Sequence, residues 1–242
     1  MIDGHAHLNE IKEIGVAISS ARSAGVSAII GVGMDIDSNV ATLEIAGSFP
    51  GFVYPAVGYH PWSIIPDEIE GNLAFIKEKL PLCIALGEVG LDYKSKIKKK
   101  VQWDVYERLM VLAKEADKPV IIHSRFSHAR ALKMTAEAGV DKAVFHWFTG
   151  EREVLAGLLD LGYFISVTPA LAYSPFHREA AAFAPMDRIL AETDAPVEYQ
   201  GKISAPADVI ATLRELARIK GISPEEAGRI TERNTRLFYG IG

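Results

Sequence analysis

Ile2-Asp3-Gly4-His5-Ala6-His7-Leu8 opens as a short apolar run and ends in two histidines one residue apart. Successive side chains of an extended strand point to opposite faces, so His5 and His7 project the same way. Four further points along the chain repeat the theme of a ligand-type side chain where an apolar run stops. They are Glu88 in Leu86-Gly87-Glu88-Val89-Gly90, His123 in Val120-Ile121-Ile122-His123, His146 in Val144-Phe145-His146, and Asp194 in Glu192-Thr193-Asp194. A doubly wound open sheet would more often place a glycine-rich nucleotide loop after its first strand. This chain has His-Ala-His there.

Working outward, eight short apolar runs read as strands: Ile2–His5, Ala28–Val32, Phe52–Val57, Cys83–Gly87, Val120–Ile122, Ala143–His146, Tyr163–Val167 and Arg188–Glu192. Between them the apolar period changes to 3.6. Over Trp103–Glu115, Val105, Leu109, Leu112 and Ala113 share one face, while Glu107, Arg108, Lys114 and Glu115 point away. Val209–Ala217 repeats the pattern. Asp37-Ser38 and Ser223-Pro224-Glu225-Glu226 are helix-start signals, and Gly25, Gly139 and Gly162 are helix stops. Eight strands, each followed by a helical pattern, predict a (β/α)8 barrel with an extra C-terminal helix over Pro224–Leu237. No linker or low-complexity stretch interrupts residues 1–242, so one barrel domain is expected.

Barrel strands end at a common mouth, so six ligand-type residues distant in sequence converge if the barrel forms. The bland reading of any one of them is a polar residue at a strand end. As a set, imidazoles with carboxylates suit hydrolytic metal chemistry, in which two ions often share a carboxylate. Glu88, on the fourth strand between the two ligand groups, is the natural bridge.

Bulk properties narrow the field. Hydrophobic residues make up 49% of the 242 and charged residues 24%, an ordinary globular balance. A net charge of −5 disfavours stable wrapping of long DNA by phosphate neutralisation, though not local handling of a nucleic acid through metal ions. The single cysteine, Cys83, makes no intrachain disulfide and reads as a small buried hydrophobe. The N-terminus lacks a basic-then-apolar leader, and no segment approaches the ~20 apolar residues of a membrane span. A cytoplasmic location is expected, with no membrane association and no obligate protein partner.

The motifs Met1-Ile2-Asp3-Gly4-His5-Ala6-His7-Leu8, Gly58-Tyr59-His60-Pro61 and Gly87-Glu88-Val89-Gly90-Leu91-Asp92-Tyr93 recur in a known order. They continue with Pro119-Val120-Ile121-Ile122-His123-Ser124-Arg125, Phe145-His146-Trp147-Phe148-Thr149-Gly150, Glu192-Thr193-Asp194-Ala195-Pro196 and Asn234-Thr235-Arg236-Leu237-Phe238. Over nearly its whole length the chain resembles the TatD family of metal-dependent hydrolases, within the amidohydrolase superfamily. The resemblance implies two divalent ions (Zn, Mg or Mn), one held by His5, His7, Glu88 and Asp194, the other by Glu88, His123 and His146. It gives Glu88 the bridging place that a carboxylated lysine fills in many superfamily relatives, and makes Asp194 the group that orients or deprotonates the attacking water. It implies a deoxyribonuclease trimming strand ends, with DNA or a small phosphodiester as substrate, and a substrate-phosphate contact at His60. Two departures stand out: Leu109 where the family usually has a second glutamine, and Tyr199–Pro206 where many members carry a more basic stretch.

Other assignments are weaker. The position of His60 just past the third strand, near the mouth, favours a substrate contact over a plain loop histidine. Arg125, two residues past His123, can clamp a phosphate or form a structural ion pair. Glu192 shares a strand face with Asp194 and is expected behind the metals or as an accessory acid. The run Lys94-Ser95-Lys96-Ile97-Lys98-Lys99-Lys100 is a solvated helix entrance or a phosphate guide. Tyr59, Trp62, Tyr93 and Trp147 sit in mouth loops, where aromatics pack loops or stack bases. Asp35-Ile36-Asp37-Ser38-Asn39 starts like a calcium loop, but Val40 stands where glycine is needed. His128 and His177 read as surface residues. Two other functions keep the barrel: a metal hydrolase of an amide, lactone or small phosphoester, and a catalytically silent binding protein. The acidic net charge leans toward the former, whereas the lysine run and Arg125 oppose it.

Overall fold

In a computed structural model describing residues 1–242, eight parallel strands pair in strict chain order. They are β1 (Ile2–Ala6), β2 (Ala28–Val32), β3 (Val53–Val57), β4 (Ala85–Asp92), β5 (Val120–Arg125), β6 (Ala143–Phe145), β7 (Phe164–Val167) and β8 (Ile189–Ala191). The ring is nearly closed at its mouth rather than along its length. Ala6 bridges in parallel to Ala195, His7 N donates to Ala195 O at 2.7 Å, and Asp194 N donates to His5 O at 3.0 Å. The seam between first and last strands therefore passes through two histidines and an aspartate of the expected metal set.

Helices α1 (Ile14–Ser23), α2 (Ile36–Ser48), α3 (Ile69–Lys79), α4 (Lys99–Glu115), α5 (His128–Glu137), α6 (Arg152–Asp160) and α7 (Pro175–Phe183) alternate with the strands. A small hairpin of β9 (Glu198–Tyr199) and β10 (Lys202–Ile203) precedes α8 (Val209–Lys220). The faces expected of α4 and α8 are the ones that pack: Val105, Leu109 and Ala113, and Val209, Leu213, Leu216 and Ala217, are buried. Leu109 is fully enclosed in the largest core cluster, so its departure from the family glutamine is a packing change.

The extra helix, α9 (Pro224–Tyr239), runs two residues further than expected and has a structural task. Its Phe238 and Tyr239, with Ile241, join Ile2, Ile30, Val32, Ala56, Ala85, Ile121, Val144 and Leu190 in the cluster that fills the barrel interior. The helix thus plugs the floor, and the carboxyl ends of the strands, where barrel sites form, lie at the opposite end.

Three expectations need correction. Glu88 is not at a strand end: β4 continues to Asp92, with a register irregularity between Leu86 and Val89 beside it. The cap of α2 is Asp35, whose Oδ1 accepts from Ser38 N at 2.9 Å, so Asp37-Ser38 lies inside the first turn. His177 is fully buried, because both ring nitrogens find backbone partners: Nδ1 donates to Phe148 O at 2.8 Å and Nε2 accepts from Thr168 N at 3.0 Å. His128 is half-buried. Asn39, read within the failed calcium loop, is a buried clamp that donates to Gly58 O at 2.8 Å and accepts from Gly58 N at 3.0 Å.

Candidate metal centre

The two histidines of β1 meet as their alternation requires, with Nε2 atoms 3.3 Å apart. Glu88 Oε2 lies 3.4 Å from His5 Nε2 and 3.3 Å from His7 Nε2. Asp194 Oδ1 lies 3.5 Å and 3.4 Å from the same two nitrogens. Glu88 turns its other oxygen to a second set: Oε1 is 2.8 Å from His123 Nδ1 and 2.9 Å from His146 Nε2. One carboxylate therefore divides its two oxygens between two pairs of imidazoles. All of these side chains except the partly exposed His123 are buried.

Which nitrogen each ring offers is set by its far side. His7 Nδ1 donates to Val32 O at 3.2 Å, leaving Nε2 for the centre. His123 Nε2 lies 3.1 Å from Asp92 Oδ2, leaving Nδ1. His146 Nδ1 lies 3.3 Å from Glu192 Oε1, leaving Nε2, and the same Glu192 oxygen accepts from Trp147 N at 3.1 Å. Glu192 thus stands behind His146. Carboxylates placed behind metal-binding imidazoles in this way orient the ring and raise its basicity.

His60 is different. It is buried, and its Nε2 is 3.5 Å from Glu88 Oε1, so it belongs spatially to the second set. Its Nδ1, however, accepts from Trp62 N at 3.1 Å. The neutral ring must then carry its proton on Nε2, and burial pushes its pKa down to about 4, so it is neutral at neutral pH. An N–H faces the centre where a ligand would need a lone pair. His60 is a hydrogen-bond donor to an anion there.

The electrostatics follow from burial set against neighbours. Burial opposes the charged form of His7, yet Asp194 and Glu88 outweigh it and lift the ring to about 10. Burial likewise opposes ionisation of Glu88, and the surrounding His146, His60 and His123 hold it well below the usual carboxylate range. Asp92 is desolvated too, but donors from His123, Lys94 N and Trp62 hold it down at about 2. His7 and His146, both raised by the carboxylates they face, direct their Nε2 atoms to where a cation would sit.

The donor set fits a divalent ion on geometry. Five distances among His5 Nε2, His7 Nε2, Glu88 Oε2 and Asp194 Oδ1 fall between 3.3 and 3.5 Å, and His5, His7 and Asp194 form one group of possible ligands to a single ion. Donor atoms at such spacings can share one ion at the ordinary metal–nitrogen and metal–oxygen length of about 2.0–2.2 Å. Asp194 Oδ1 is also buried without a hydrogen-bond partner, an orphan that a cation would satisfy.

Two residues here carried no role in the sequence reading. Asp92, four after Glu88, takes part through the unforeseen length of β4; a strand read past Gly90 would place 88, 90 and 92 on one face. Asp3 is fully buried, and its carboxylate accepts from Thr193 N at 2.8 Å and Thr193 Oγ1 at 2.6 Å, anchoring the residue before Asp194. Arg125 is exposed at the end of β5 with no carboxylate within ion-pair distance, so the structural ion pair is absent. It lines a cleft of about 1130 Å³ running from the mouth over the starts of α5, α6 and α7. The lysine run forms the turn into α4, where Lys99 Nζ covers the Tyr93 ring at 4.1 Å.

A parallel eight-stranded barrel with buried imidazoles and carboxylates at its mouth defines the class: a metal-dependent hydrolase. The family model described as "TatD related DNase" matches residues 2–240. An uncharacterized metal-dependent hydrolase of Bacillus subtilis, YabD, is 32% identical over 260 residues, covering 100% of this chain and 99% of that protein. The human deoxyribonuclease TATDN3 is 28% identical over 259 residues, covering 99% and 94%. The crystal structure of YJJV, a TatD homologue from Escherichia coli, superposes with a TM-score of 0.90 at 26% identity, covering 100% and 98%. The chain belongs to the TatD family of metal-dependent hydrolases. No helix is long and apolar enough to cross a membrane.

Proposed function

We propose that this protein is a deoxyribonuclease that hydrolyses phosphodiester bonds at strand ends with water activated by two divalent ions (Zn, Mg or Mn). The observation carrying the reading is the division of Glu88, Oε2 toward His5 and His7 and Oε1 toward His123 and His146. His5, His7, Glu88 and Asp194 would hold one ion; Glu88, His123 and His146 would hold the other. When bound, such ions neutralise phosphate charge and lower the pKa of water.

The chain's own groups do the rest. Asp194, buried beside the ion it would help to hold, accepts the proton of the attacking water. The water oxygen bonds to phosphorus, the bond to the leaving oxygen breaks, and the proton passes from Asp194 to that oxygen. His60 directs its Nε2–H at a phosphate oxygen, and the unpaired Arg125 guanidinium is available to a phosphate further out. Glu192 and Asp92 keep His146 and His123 in place from behind. The substrate class is supported by the family model and by the human relative named a deoxyribonuclease.

The test is hydrolysis of end-labelled single-stranded and duplex oligonucleotides with Mg²⁺, Mn²⁺ or Zn²⁺. Cleavage that disappears in the Glu88→Ala, Asp194→Ala double variant is expected. No cleavage with any of the three ions, or undiminished cleavage by the double variant, overturns the reading.

A further inference from the structure

Tyr59, Tyr93, Phe126 and Trp147 lie in loops around the mouth, and each is already engaged by a neighbour. Tyr59 is 1% exposed and its hydroxyl accepts from Ile65 N at 2.9 Å. Tyr93 carries Lys99 Nζ over its ring and accepts from Trp103 Nε1 at 3.0 Å. Trp147 is half-buried against the Tyr199 ring, 5.4 Å between centroids. Phe126 is exposed but has Lys94 Nζ 5.5 Å from its centroid and forms no ring contact with a site histidine.

Trp62 is the exception. The residue is 55% exposed, yet it is fixed at two points to the centre itself. Nε1 donates to Asp92 Oδ2 at 2.7 Å, and the backbone N–H donates to His60 Nδ1 at 3.1 Å. The ring meets His60 edge to face at 4.8 Å and His123 at 5.8 Å. An indole held by its polar edge, on a residue more than half exposed, offers a flat apolar face beside the place where a phosphate would sit. Such a face binds a planar base without reading its sequence.

We propose that Trp62 is the stacking platform for the nucleobase attached to the phosphodiester at the metal centre, which rests on the nuclease reading above. Unpaired bases reach this platform, whereas a base held inside a duplex stack does not. Trp62 thereby selects the nucleotide whose phosphate His60 contacts, since both are tied to one another through the Trp62 N–H.

The experiment uses the Mg²⁺- or Zn²⁺-loaded enzyme with two oligonucleotides, one ending in 2-aminopurine and one abasic at that position. The wild type should show a KM about ten-fold or more lower for the base-bearing strand. Trp62→Leu should bring that ratio close to one, while Trp62→Phe, which loses the bond to Asp92 but keeps an aromatic face, should retain most of it. A residue that merely braced Asp92 would lower kcat in both variants and leave the ratio unmoved. Binding should also quench 2-aminopurine fluorescence in the wild type and not in Trp62→Leu. Cleavage with equal KM for the two strands, or a ratio unchanged in Trp62→Leu, overturns the stacking assignment and leaves the nuclease reading standing. Quenching that depends on Trp62 without cleavage of either strand keeps the platform and overturns the nuclease reading. Neither cleavage nor quenching overturns both.

Discussion

Asp92 Oδ2 accepts a 3.1 Å hydrogen bond from His123 Nε2, and that bond fixes Nδ1 as the nitrogen that faces Glu88. Asp92 stays charged because donors from His123, Lys94 N and Trp62 Nε1 overcome its burial. Asp92→Asn removes the charge behind the ring and is expected to weaken divalent-ion affinity by about 10–100-fold. Competition against a chromophoric chelator measures this directly. An affinity equal to wild type would show that His123 needs no carboxylate behind it.

Metal binding should release protons. The His7 pKa is lifted to about 10, so at neutral pH the ring of the metal-free protein is protonated on the nitrogen that faces Glu88 and Asp194. An ion taking that position must expel the proton. Raising the pH from neutral toward about 10 therefore lowers the cost of binding, and the apparent affinity should rise with pH across that window. Titration calorimetry in buffers of different ionisation enthalpy counts the protons. A binding constant flat with pH would contradict the assignment of His7.

Gly58 should tolerate no side chain. A Cβ there would overlap the backbone N and O of Glu88, and the neighbouring segment is pinned by the Asn39 clamp. Gly58→Ala should destabilise the fold by about 1–3 kcal/mol through overpacking. It should also displace the bridging carboxylate, so that metal content falls in whatever protein remains folded. Thermal melting and elemental analysis together separate the two effects.

Asp3 supports Asp194 at one remove. Asp3→Ala leaves the buried Thr193 N–H and hydroxyl without their acceptor, for an expected loss of about 1–3 kcal/mol. Thr193 precedes Asp194, whose backbone sits at a φ of 53°, a conformation that a non-glycine residue adopts only under constraint. Releasing that constraint should lower metal affinity more than Thr193→Val, which removes the hydroxyl bond alone. Equal metal affinities in the two variants would limit Asp3 to stability.

Much of this was legible beforehand because barrel sequences are periodic. All eight strands fall where apolar runs predict them, and the buried faces of α4 and α8 follow from the 3.6 period. Misreadings occurred where local signals were outweighed. The apolar run stops at Gly87, but pairing with β5 carries the strand to Asp92. Asp37-Ser38 resembled a cap, but Asp35 and Ser38 close the capping box. His177 looked like a surface residue because the carbonyl of Phe148 and the N–H of Thr168 that satisfy it lie on other segments.

The sequence by itself determined the donor types and the mouth they face, since strand order and a period of two set both. It could not say which nitrogen each histidine presents. A ring nitrogen is a lone pair or an N–H according to what its opposite nitrogen meets. For His7, His123 and His146 that partner is Val32, Asp92 or Glu192, each on a different strand or just past its end. For His60 it is the Trp62 N–H, two residues on, in a loop whose shape comes from the packed mouth. Tertiary structure alone therefore separates a histidine able to bind a cation from one that offers a proton to an anion.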